Sequence, residues 1–122
     1  AAAGAAAAAK AAPARHQAGQ CMIHARFGYR GVIVASDSRC RQSAEWQEAM
    51  GVHALPRGAT QPFYHVLVDS RDRSGAQITY VAHDNVVPDF PSEPLRHPLL
   101  DQVLGPWEGD RFAPKAEEAE LE

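Results

Sequence analysis

The chain has 122 residues, with 12 Lys and Arg against 15 Asp and Glu and a formal net charge of −3. That length suits one domain; no apolar run approaches the roughly 18 residues of a membrane-spanning helix. The acidic balance excludes a body that grips nucleic acid through a strongly basic surface.

Residues 1–19 open with an alanine run to Ala12 and contain Lys10 and Arg15 but no acid. They are expected to be a low-complexity linker or leader, of the basic, acid-poor composition of transit segments. Pro13 to Gly19 breaks the run, and the folded domain is expected over residues 20–112. Cys21-Met22-Ile23-His24-Ala25 predicts a first strand, the glycines of Phe27-Gly28-Tyr29-Arg30-Gly31 a tight turn, and Val32-Ile33-Val34-Ala35 a second, buried strand closing a hairpin.

The period then changes. Ser43 to Met50 carries helix formers, with Trp46 and Met50 on one face, Ser43 placed to cap the start, Glu45 and Glu48 early, and Gly51 placed to end it. This spacing predicts a short helix packed on the sheet through Trp46. A turn-rich connection, Leu55 to Pro62, delivers the strongest strand, Phe63-Tyr64-His65-Val66-Leu67-Val68-Asp69. After a polar loop, Ala76 to Ala82 predicts its hairpin partner, and Asn85-Val86-Val87 a last short strand stopped by Pro88. Pro98 to Leu104 predicts one more short helix with proline in its first turn. Residues 113–122 read as an acidic, disordered tail. Short strands between turns, with one inserted helix, favour a small barrel over a parallel α/β sheet.

These residues carry a resemblance. Phe27-Gly28-Tyr29-Arg30-Gly31-Val32-Ile33-Val34, followed by Asp37 and Cys40, resembles the first hairpin of the hemimethylated-DNA-binding, YccV-like (HspQ-like) family. Gln61 to Asp69 resembles its central strand, Thr79-Tyr80-Val81-Ala82 with Asn85 the strand after it, and His97-Pro98 a pair the family tends to keep. Glu45-Trp46, Met50-Gly51-Val52-His53 and Leu55-Pro56 with Gly58 are similar to the eukaryotic branch found at the C-terminus of an F-box-only protein of the ubiquitin system. The resemblance implies an SH3-like small β-barrel of about five antiparallel strands, with one short helix between strands 2 and 3. It also implies a choice of binding roles: DNA, energy-dependent proteases, or the neighbourhood of an F-box. The chain departs from the family at His83, which precedes Asp84 where members often carry acids.

Catalysis is not indicated. Cys40 and His53 flank the predicted helix, but a cysteine nucleophile also needs an orienting partner and an oxyanion device, and no such signature accompanies them. Cys21 and His24 fall on opposite faces of a strand, which argues against a shared metal. No glycine-rich phosphate loop or paired-carboxylate motif is visible, so no cofactor is expected. With two cysteines, the default is a reduced, intracellular compartment, although one disulfide between them stays open. His65 is expected to be hydrogen-bonded within the barrel.

The candidate contact residues are Arg26, Tyr29, Arg30, Arg39, Arg41 and Arg57, because arginine pairs with phosphate and with a partner's carboxylates alike. Residues 20–73 carry seven arginines against five acids, whereas residues 74–122 carry a balance of −7. Weak, salt-sensitive DNA binding is therefore the most the sequence supports. The leading expectation is a non-enzymatic adaptor domain in intracellular protein degradation or quality control, contacting a protease or a ubiquitin-ligase component. The alternative is a domain that recognises hemimethylated duplex DNA.

Overall fold

The computed structural model describes residues 15–115. The alanine run and the end of the acidic tail lie outside them. The fold is mainly β: β1 (Cys21–His24), β2 (Arg30–Asp37), β3 (Phe63–Val68), β4 (Ile78–Ala82) and β5 (Val86–Asp89) form one antiparallel sheet in the order β4-β3-β2-β1-β5. The short helix α1 (Ala44–Ala49) lies between β2 and β3, as the change of period predicted. None of the described helices is long and apolar enough to cross a membrane.

The closed barrel is not formed: among the described residues no hydrogen-bonded ladder joins the edge strands β4 and β5. These edges are nonetheless consecutive in sequence, linked by a single 3-10 turn, His83–Asn85. Four strand spacings in a flat sheet would hold them about 19 Å apart, whereas four residues of chain reach at most about 14 Å. The sheet must curl, and it leaves an open seam along β4.

Neighbouring residues divide between the two sheet faces, as the strand period of two demands. Met22, Ile33, Tyr64, Val66, Val81 and Val86 pack together on one face. Cys21, Val32 and Leu67 pack on the other, under Leu95, Leu104 and Phe112 from the C-terminal segment. Because β3 is covered on both faces, it reads as a continuous apolar run instead of an alternation. Gly31 is required to be small: a Cβ there would sit 2.4 Å from Val66 Cγ1 and 3.1 Å from the Leu67 carbonyl oxygen. Ahead of β1, Gly19 donates to the Ile33 carbonyl at 2.7 Å and accepts from the Phe112 amide at 2.9 Å, tying the chain's entry to its exit.

Four local expectations need correction. Pro88 does not stop β5 but lies inside it, opposite Met22; an edge strand tolerates the missing N–H. Met50 is not core: it is 61% exposed, and α1 ends at Ala49, leaving Trp46 half-buried. His65 is half-exposed beside Asp37, its Nε2 3.5 Å from the carboxylate, and is not buried within the sheet. The predicted second helix is confined to α2 (Leu100–Val103), and Leu104 instead opens β6 (Leu104–Trp107), which pairs with β7 (Phe112–Pro114) in a second small sheet. Gly105 and Pro106 hide that strand from a reading by β propensity.

Candidate binding groove

A concavity lies along the open seam, a groove of about 370 Å³, within the size range of ligand sites. One wall comes from the end of β1 and the following turn, through His24, Phe27 and Tyr29. The opposite wall comes from α1 and the 3-10 turn Val52–Ala54, through Trp46, Met50, Val52 and Leu55. Between them runs β4, from Ile78 to Ala82. Three large apolar side chains stand on this rim in contact with water: Phe27 at 60%, Met50 at 61% and Ile78 at 54% exposure. Exposed apolar residues gathered around one concavity mark an interaction site more often than the same residues scattered singly.

Local chemistry fixes each wall. Ser43 caps α1, its hydroxyl accepting from the Trp46 amide at 3.1 Å, and Gly51 leaves the helix at φ 68°. This turns Trp46 edge-on to Tyr80, with ring centroids 5.7 Å apart. Tyr80 is stacked on Phe63 at 5.1 Å and donates to Asp37 Oδ2 at 2.6 Å; burial and that carboxylate push its hydroxyl well above the ordinary phenol range. On the other wall, His24 Nδ1 accepts from the amides of Arg26 and Phe27, each at 3.1 Å, which shapes the turn. Burial, then the nearby Arg73 and Arg26, lowers the His24 pKa, keeping that nitrogen free to accept. Tyr29 and Thr79 hydroxyls meet at 2.8 Å across the seam.

The groove is cationic at its mouth. The Arg73 guanidinium lies 4.4 Å from the Tyr29 ring centre and 5.7 Å from that of Phe27, and Arg26 lies 5.4 Å from Phe27. Neither arginine has a carboxylate partner among the described residues, and no Asp or Glu lines the groove.

The arginines singled out from sequence do not form one patch. Arg30 is held by Asp72 in a two-pronged pair at 2.7 and 2.8 Å, which lowers the Asp72 pKa to about 2. Arg57 is held by Asp84. Arg39 and Arg41 are exposed beyond the end of β2, while Arg30 sits at its start, about 20 Å away along an extended strand, and Arg26 lies in the turn before it. Tyr29 is buried but lines the groove. Sequence reasoning missed Phe27, Met50, Ile78 and Arg73. Phe27 had a signal, an aromatic residue in a glycine-bounded turn; Ile78 was hidden by alternation that looked like core.

Among the described residues, Cys40 and His53 do not share one accessible site. Cys40 is buried with Val52, Phe63 and Ala82, whereas His53 is exposed. Burial, then Asp89 and Asp110, pushes the Cys21 thiol up to about 12. Both cysteines are free, and among the described residues no three metal-ligating side chains come together.

The model of the family described as "Hemimethylated DNA-binding protein YccV like" matches residues 14–111. The chain belongs to the YccV-like family. Similar proteins include F-box only protein 21 of Homo sapiens, Mus musculus and Pongo abelii, each 34% identical over 99 residues. That match covers 81% of this chain but 15% of each relative, so the YccV-like domain corresponds to a small part of those proteins. The resemblance read from the hairpin, the central strand and the Trp46 helix thus identified the family.

Proposed function

We propose that this YccV-like domain is a protein-interaction module serving intracellular protein degradation, and that the groove along β4 is its contact surface. The observation that supports this most is the ring of exposed Phe27, Met50 and Ile78 around an apolar cleft. Such a surface suits a protein side chain better than a phosphate backbone. The F-box relatives favour a ubiquitin-ligase component as the neighbour or partner. The curled sheet is in keeping with an SH3-like barrel whose seam has been opened to make the site.

DNA recognition, which the family description names, is the weaker reading here. Arg30 and Arg57 are already engaged with carboxylates, and Arg39 and Arg41, without a carboxylate partner among the described residues, lie at the far end of β2 from Arg26. Duplex binding is expected to be no tighter than the 10⁻⁴–10⁻⁶ M range of roughly non-specific contacts, with steep salt dependence.

Two double variants separate the readings. Phe27→Asp with Met50→Asp changes the groove rim, and Arg39→Glu with Arg41→Glu changes the basic loop; all four residues are exposed, so folding is preserved. Proteins co-purified from cells with each variant are quantified, and hemimethylated and unmethylated duplexes are titrated in parallel. Loss of partners from the rim variant alone supports the proposal. Salt-resistant preference for the hemimethylated duplex, lost in the arginine variant, overturns it.

A further inference from the structure

We propose that β4 takes up an extended, acidic segment of a partner protein as an added strand, with the segment's apolar side chains seated in the groove. This rests on the protein-binding reading above and specifies its mode.

The argument begins with the backbone. The Val68 amide donates to the Gln77 carbonyl at 3.1 Å, and the His83 amide to the Pro62 carbonyl at 2.9 Å. Both contacts belong to one antiparallel register, in which Val66 faces Thr79 and Tyr64 faces Val81. Directly opposed residues alternate between hydrogen-bonded and non-hydrogen-bonded pairs. Thr79 and Val81 therefore spend their main-chain groups on β3, while those of Ile78 and Tyr80 point away from it. β4 is a sheet edge, and among the described residues no main-chain partner meets these outward groups. Unpaired edge groups beside an apolar cleft are the two requirements for strand addition: the backbone supplies affinity and the cleft selects alternate side chains.

Charge selects the segment. Among the described residues the groove has no acid on its walls, and neither Arg73 at its mouth nor Arg26 over Phe27 has a carboxylate partner. Asp37 meets the wall only through the Tyr80 hydroxyl. On α1 and its C-cap, Trp46 and Met50 share the groove face, and Glu45 and Glu48 fall well off it by helical period. Carboxylates alternating with apolar residues would reach the arginines while the apolar side chains enter the cleft.

The test uses the full chain and fluorescent eight-residue peptides. One alternates Val with Glu, one alternates Val with Lys, and two further copies of the Glu peptide are N-methylated at one or the other set of alternate residues. The Glu peptide is expected to bind at least about tenfold more tightly than the Lys peptide, and Arg26→Glu to remove most of that difference. N-methylation of one set should abolish binding and of the other set spare it, while the Ile78 and Tyr80 amides gain protection from hydrogen exchange. Equal binding of Glu and Lys peptides, or tolerance of both methylation patterns, overturns the inference. So does a dimer of this chain held through β4 without peptide, since the occupant is then a second copy. If no peptide binds while the rim variant still loses its cellular partners, strand addition fails and the protein-interaction reading stands; if the rim variant keeps every partner, that reading fails as well.

Discussion

Replacing Trp46 by alanine separates a groove wall from a core residue. Emptying a fully buried aromatic site costs about 3–5 kcal/mol. Trp46 keeps one side against the cluster of Cys40, Val52, Phe63 and Ala82 and an edge-on contact with Tyr80, while its other side faces the groove. Half of the burial cost, together with part of an aromatic pair, gives a loss of about 2 kcal/mol. In a domain of this size that lowers the midpoint of thermal unfolding by about 8–16 °C. Circular dichroism of the wild type and Trp46→Ala at one scan rate measures it. A loss above about 4 kcal/mol means the indole is sealed in the core. A loss within the scatter of repeats means it does not pack on Tyr80. Either result refutes a wall that is half structural and half open.

Gly31→Ala should destabilise the sheet by about 1–3 kcal/mol, the usual cost of overpacking, because the added methyl meets Val66 and the Leu67 carbonyl; urea unfolding with an unchanged m-value checks it. Tyr64→Phe should cost about 1–2 kcal/mol, since the buried hydroxyl contacts His83 Nδ1 at 2.7 Å and accepts the His16 amide at 3.0 Å, leaving both without a partner when removed. Stability should also fall in acid in two stages, followed by thermal unfolding across pH. His16, His24 and His83 have pKa values lowered chiefly by burial, so the unfolded chain binds more protons as pH drops below 6.5, and stability declines there before levelling. Asp72, held low by Arg30, adds stability that is present above 3.8 and lost as pH falls towards about 2. Flat stability from pH 8 to pH 5 would contradict pKa values lowered by the burial of His24 and the partial burial of His16 and His83.

Much of the fold was legible because its signals are local. The β-branched run at Val32, the apolar run at Phe63 and the helix-forming stretch after Ser43 each declare their period within a few residues. The C-terminal sheet was not, since Gly105 and Pro106 are poor strand formers held there by pairing with Phe112–Pro114. Pro88 misled for the same reason: its place in β5 depends on being at an edge, which only the topology reveals. The site was less legible. Charge pointed to the arginines, but the partners that neutralise Arg30 and Arg57 lie 42 and 27 residues away in the chain. The exposure of Met50 and Ile78 likewise follows from where the sheet fails to close, which no sequence window contains.

On the reading proposed above, protein and not DNA occupies the seam beside β4. The most direct measurement is photo-cross-linking in cells, with a photoreactive amino acid at position 78 on the groove and, as a control, at position 103, another exposed apolar site outside it. Discrete protein adducts are expected at position 78 that disappear with Phe27→Asp and Met50→Asp, and none above background at position 103. Equal adduct patterns at both positions, or adducts at position 78 only to nucleic acid, would contradict it.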